Sequence, residues 1–214
     1  MKLKKTAAFI MAAAVCTSLC SCEMPETSPE VESRLYDLYS RNDEIVSYTK
    51  VKGKYKDFAE SCFDNIEVFG ANLTVPMNVS DLPEGFSLRE TSQQINYTSG
   101  VNITSTRMYF EGARACDVDI IYPEGKTPED GQIVSLEFDG MFGFLDDDFK
   151  MGGESGYFNI DKATALLGEC ERNTIIIYDL GGNKNITFYL DPTDSEKDGI
   201  YAYWVTLSCI DYMY

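Results

Sequence analysis

At Asn65 the apolar residues of this chain change period. Just before it, Tyr55, Phe58, Ala59, Cys62 and Phe63 recur at i, i+3, i+4, i+7 and i+8, the stripe of an amphipathic helix. After it, alternation takes over. Asn65 to Phe69 and Asn72 to Val75 flank Gly70-Ala71 and predict a hairpin; Val79 to Gly85 predicts a short helix or turn with Ser80 as its cap. Strands are predicted over Thr106 to Phe110, Cys116 to Tyr122 and Ile133 to Phe138. The order then recurs: Asp161 caps a predicted helix that Gly168 ends after Leu167, and strands follow over Thr174 to Tyr178, Ile186 to Leu190 and Ile200 to Cys209. The Gly- and Asp-rich segment from Asp139 to Tyr157 joins the halves. A chain patterned this way is expected to be α+β, with two tandem units of a short helix plus a three-stranded antiparallel meander (65–145 and 146–214). An N-terminal helical segment over 29–64 precedes them. Its start is marked by Ser28-Pro29-Glu30 and its face by Val31, Leu35, Leu38, Tyr39, Ile45 and Val46, with a break at Gly53.

Composition removes whole classes of chemistry. The 214 residues include no histidine, which excludes Ser-His-Asp and Cys-His catalysis, HExxH zinc proteases and His-rich metal sites. Lys plus Arg is 18 against 35 Asp plus Glu, a net charge of −17, so nucleic acid is not an expected partner. Beyond the first five residues the one basic grouping is Lys50, Lys52, Lys54 and Lys56, which reads as a solvated face. No GxGxxG, P-loop or haem motif is present, and no cofactor is expected.

Met1 to Lys5 is basic, and Thr6 to Leu19 is an apolar run of 14 residues. That is the length of a secretory h-region and short of the roughly 20 residues that span a bilayer. It ends Leu19-Cys20-Ser21-Cys22, which resembles the lipobox of bacterial lipoproteins: Leu at −3, a small residue at −1, then the acylated cysteine. The resemblance implies a signal peptide over 1–21, lipidation at Cys22 with palmitate-type chains, a polar tether over 22–28, and a protein held on the extracytoplasmic side of a membrane. Cleavage leaves 15 basic against 35 acidic residues, a charge of −20, so the lipid and not the protein surface would hold the membrane.

Tandem helix-and-meander units look like the beta-lactamase-inhibitor-protein fold. The runs Leu73 to Phe86 and Ile160 to Cys170 are similar to uncharacterised lipoproteins of clostridia-type bacteria. The resemblance covers about residues 65 to 209. It implies a non-catalytic surface lipoprotein whose α+β domain binds a protein or another envelope macromolecule. The alternatives are a carboxylate-dependent cell-wall or glycan-acting enzyme, or an accessory solute-binding lipoprotein; the latter lacks its expected βαβ units here.

Candidate sites follow from pattern. Cys62, Cys116, Cys170 and Cys209 are either two disulfides (Cys62 with Cys116, Cys170 with Cys209) or buried apolar thiols, and their gaps do not suit zinc. Asp194, Glu196 and Asp198 resemble half a calcium loop, but Val205 stands where the last acidic ligand belongs. Gly153-Glu154-Ser155-Gly156 falls one residue short of a nucleophile elbow and reads as a loop. In the last strand Tyr201, Tyr203, Val205, Leu207 and Cys209 share one face and Ala202, Trp204, Thr206 and Ser208 the other; Ile186, Phe188 and Leu190 match the first set. Thr187, Tyr189, Trp204 and Thr206, with Tyr109 from the first half, are therefore the expected partner face. Arg107, Asp117, Asp119, Ser135 and Glu137 extend it toward acidic ground.

Overall fold

The computed structural model describes residues 46–89, 95–98, 100–139, 148–156, 158–171, 173–190 and 202–210. Cys22, the signal and tether segments, the part of the expected 29–64 helical segment before residue 46 and the acidic loop at Asp194, Glu196 and Asp198 lie outside them. The described residues form a mixed α+β unit made mostly of sheet. In chain order its first elements are β1 (Val46–Lys50), α1 (Lys56–Asp64), β2 (Ile66–Val68), β3 (Ala71–Leu73), β4 (Met77–Asn78), β5 (Phe86–Leu88), β6 (Ile95–Thr98) and β7 (Val101–Phe110). Then come β8 (Ala113–Pro123), β9 (Gln132–Asp139), β10 (Phe149–Met151), β11 (Glu154–Ser155), α2 (Ile160–Leu167), β12 (Ile175–Gly181), β13 (Lys184–Leu190) and β14 (Ala202–Ser208). Among the described residues no helix is long and apolar enough to cross a membrane.

The large sheet runs β1-β12-β13-β14-β9-β8-β7-β5, with β4 added on β9 and β6 on β7. All its pairings are antiparallel except β1 on β12. A second sheet has the order β11-β10-β2-β3. Buried side chains of one parity on the large sheet, among them Met108, Val118, Leu136, Ile186, Phe188, Val205 and Leu207, join Ala59, Cys62 and Phe63 of α1 and Ile160, Ala163 and Leu167 of α2 in one core. Ile66 and Leu73 of the second sheet belong to it as well. Phe138 of β9 stacks on Phe149 of β10 at 3.7 Å between ring centroids, so the two sheets meet through aromatic rings. Tyr178 is fully buried against Phe188, and its hydroxyl donates to the Gly168 carbonyl at 3.1 Å, which satisfies the polar atom its burial would strand.

Several elements differ from the sequence reading. Val46, read as part of a helical stripe, opens β1, because the β-branched and aromatic residues of Val46-Ser47-Tyr48-Thr49 suit extended backbone and find a parallel partner in Ile175 to Asp179. The hairpin about Phe69 and Gly70 forms, with φ of 51° and 79° at those two residues, as a tight primed turn requires. It pairs with β10 in the second sheet and not with the meander strands. Phe149–Met151 is a strand inside what reads as a Gly/Asp joiner. Its Phe-Lys-Met alternation is three residues long, too short to stand out from its surroundings. Glu154–Ser155, read as loop, is the short strand β11 beside it. Gly156 is required next to them, since a Cβ there would run into the Phe149 ring. The cap of α2 is Asn159, whose Oδ1 accepts from the Lys162 amide at 2.7 Å, so Asp161 is a first-turn acid and not the cap. The turn at Val79–Asp81 is a single 3-10 turn flanked by Asn78, with no capping bond from Ser80.

Candidate functional site: the open sheet face

The second parity of the large sheet lines an open concavity of about 790 Å³ reaching from β1 to β7. Its middle row can be followed from strand to strand by register: Tyr48 opposes Ile177, Ile177 opposes Thr187, and Thr187 opposes Thr206. Thr206 then opposes Glu137, Glu137 opposes Asp117, and Asp117 opposes Arg107. A flanking row runs Val46, Ile175, Tyr189, Trp204, Asp139. The row on the other side includes Asn185, Ser208, Ser135, Asp119 and Ser105.

This register gives the face two unlike ends. At the β1 and β12 end it is apolar. Val46 and Tyr48 are 48% and 64% exposed, the large hydrophobic residues left most open to water among those described, and Ile175 and Ile177 beside them are half-buried. Tyr189 and Trp204 continue this end toward the middle, their ring centroids 5.7 Å apart and tilted by 44°. At the β9 and β8 end the face is acidic. Arg114 donates to Asp117 at 2.9 Å and Arg107 stands 3.9 Å from the same carboxylate. Ser105 donates to Asp119. Glu137 lies among Asp117, Asp119 and Asp139; burial first, and then those three charges, push its carboxyl up to about 7, with Arg114 partly opposing the shift.

Three buried polar atoms in this region have no hydrogen-bond partner: Asp117 Oδ1, Thr206 Oγ1 and the Trp204 indole nitrogen. Thr206 Oγ1 and the Trp204 nitrogen lack the bond that would offset their desolvation, while Asp117 Oδ1 has the Arg107 guanidinium 3.9 Å away. Among the described residues no group of acids or cysteines is placed to hold a metal ion.

Of the expected partner-face residues, Thr187, Tyr189 and Thr206 line the concavity and Trp204 borders it through Tyr189. Tyr109 does not line it. It lies at the far end of β7, opposite Ser87 and Arg114. The sequence reading missed Val46 and Tyr48, which it placed in a helical segment. It also missed Ile175 and Ile177, because Ile175-Ile176-Ile177 is apolar without a break and carries no signal for which side faces out. Val46-Ser47-Tyr48-Thr49 alternates apolar and polar, the period of a strand, but the polar Ser47 is the covered residue, so the pattern signals the element and not its facing.

Of the two alternatives for the four body cysteines the structure has the thiols: neither Cys62 with Cys116 nor Cys170 with Cys209 is bridged. Cys62 and Cys116 are buried packing groups on α1 and β8, and burial pushes the Cys62 thiol up to about 12 and Cys116 well above its ordinary value. Cys170 instead contacts the Thr164 hydroxyl at 3.8 Å, and Cys209 donates to the Val75 carbonyl at 3.5 Å. Element order suggested the pairings, but the side chains spend their contacts elsewhere.

The chain matches no protein-family model, no curated protein and no solved structure.

Proposed function

We propose that this chain is a lipid-anchored, non-catalytic surface lipoprotein on the extracytoplasmic side of its membrane, and that the open sheet face binds a protein or another envelope macromolecule. The observation that supports it best is the exposure of Val46 and Tyr48 on the same concave face as Ile175, Ile177 and Tyr189. Apolar side chains grouped on a rigid sheet are what an interface core uses, and a lone monomer gains nothing by leaving them wet. The anchor is read from Leu19-Cys20-Ser21-Cys22, and the tandem arrangement from the recurrence of a short helix or turn before three strands, Val79–Asp81 before β7-β8-β9 and α2 before β12-β13-β14. Two tests separate anchor from face. Cys22→Ser should release the protein from the membrane fraction and abolish palmitate labelling; unchanged labelling would reject lipidation at Cys22. Tyr48→Asp should lose whatever the intact chain captures from envelope extract, while Lys126→Glu, on the exposed turn after β8, should keep it. Equal capture by both variants would reject the face.

A second reading, a carboxylate-dependent glycan-acting enzyme, draws on Glu137, whose carboxyl near neutrality suits a general acid inside a concavity. Glycoside hydrolysis needs a second carboxylate across the scissile bond, and Asp117 is the opposed candidate. Release of reducing ends from cell-wall glycan by the wild type but not by Glu137→Gln would favour this reading over binding alone.

A further inference from the structure

Strand β1 faces against its own sequence pattern. In Val46-Ser47-Tyr48-Thr49 a polar residue is turned to the core and the apolar residues to water: Ser47 is 4% exposed, against 48% for Val46 and 64% for Tyr48. Ser47 lies opposite Ile176 and Thr49 opposite Tyr178, both fully buried. We propose that β1 is a strand the folded chain can release: residues Val46 to Lys50 leave β12 while the rest of the sheet stays closed, so the apolar end of the concavity has two states. A strand whose pattern and facing disagree gives up most of the apolar burial that would hold it. Ser47 adds to this, because its Oγ is buried without a hydrogen-bond partner, and release returns that hydroxyl to water. Val46 and Tyr48, exposed already, lose little by the same step.

Topology points the same way. Among the described residues β1 ends the large sheet, has β12 as its one neighbour and makes the sheet's one parallel ladder. Parallel pairing is slightly weaker per residue, and an edge strand has no second ladder to hold it. By contrast β13 is paired on both sides and buries Ile186, Phe188 and Leu190. The opening also has a defined end. Val51 is 1% exposed and its N–H donates to the Asp179 carbonyl at 2.8 Å, so the chain is fastened to the core directly after β1. Release withdraws Val46 and Tyr48 from the concavity and bares the β12 edge from Ile175 to Asp179. A ligand of either state would then shift the balance between them. Release needs no occupant of the face; it is a property of β1 and β12 alone.

Native-state hydrogen exchange of the full-length chain in detergent, resolved by peptide mass, tests this. The β1 amides bonded to β12 should exchange about a hundredfold or more faster than the bonded amides of β13 and β14. Low urea should hardly change the β1 rate, because releasing five residues exposes little surface, while β13 and β14 follow the urea-sensitive global unfolding. Ser47→Ala removes the unpaired hydroxyl and adds no volume, so it should slow β1 exchange about tenfold. Ile186→Val lies in the part that stays closed and weakens the released and closed states alike. It should speed exchange in β13 and β14 several-fold and leave β1 unchanged. Exchange of β1 at the β13 rate with the same urea dependence, or a β1 rate that rises with Ile186→Val, would overturn the proposal, since β1 would then open only with the whole sheet. Fast β1 exchange that Ser47→Ala fails to slow would overturn it too, as the fraying of an ordinary edge strand.

Discussion

Glu137 shows how one residue couples the face to stability. Folded, its carboxyl titrates near 7; unfolded, it returns to about 4.3, so between those values the folded chain holds the proton more tightly. Stability therefore falls as pH rises through that window, and the penalty is fully present above pH 7. Glu137→Gln should raise the unfolding free energy above pH 7 by on the order of 1 kcal/mol, after allowing for solvent screening of a half-buried group, and should change little below pH 4. Urea melts of the two proteins at pH 4 and pH 8 check it; an equal gain at both would show a packing effect instead. The cysteines give a second residue-scale expectation. Alkylation of the folded chain resolved by peptide mass should label Cys170 and Cys209, which are half-buried, before Cys62 and Cys116, which react only on unfolding. A disulfide-linked peptide pair among the four would contradict it.

At the level of elements, α2 depends on its first turn. It has only eight residues, too few to be stable in isolation, so its cap and its buried side chains Ile160, Ala163 and Leu167 hold it in place. Asn159→Ala should cost about 1 kcal/mol through loss of the bond to the Lys162 amide, while Asp161→Ala costs a smaller amount through the helix dipole. Comparable losses at the two positions would mean that Asn159 is not the dominant cap. The two residues also show a limit of pattern reading: Asn159 and Asp161 are both good caps two positions apart, and the choice between them depends on where the preceding chain delivers the backbone. That chain is β11, held by β10, a strand whose three-residue alternation could not be separated from the glycines and aspartates around it.

Across the whole molecule, the contact between the sheets is concentrated in aromatic rings. Phe138 and Phe149 are both fully buried and stacked, and Phe149 is pinned further by Gly156. Phe149→Ala should cost about 3–5 kcal/mol, because neither the large sheet nor the short strands of the second can collapse into the space. A loss below about 1 kcal/mol would mean that the second sheet is not part of the cooperative unit. The seam matters for function because the side of the large sheet that faces α1, α2 and the second sheet is filled, which leaves the concavity on the other.

Sequence by itself determined the parity of the strands in the second half. In Ile186 to Leu190 and Val205 to Ser208 polar and apolar residues alternate, and since a strand turns successive side chains to opposite sides, the covered set (Ile186, Phe188, Val205, Leu207) and the outward set (Thr187, Tyr189, Trp204, Thr206) could be separated from spacing alone; Ala202, expected beside Trp204 on the outward side, is core, because the register shifts between Tyr189 and Leu190. It also determined that the body is mixed α+β, through the switch of period at Asn65. Tertiary structure alone decided which strands lie side by side. Pairing of β1 with β12 joins residues about 130 positions apart, and pairing of β9 with β14 joins residues about 70 apart, and neither leaves any periodic trace along the chain. Those two pairings put Tyr48, Ile177, Thr206, Glu137 and Asp117 in one row. The row exists because hydrogen-bond register carries a side chain's facing from strand to strand, a relation that no single segment of sequence contains.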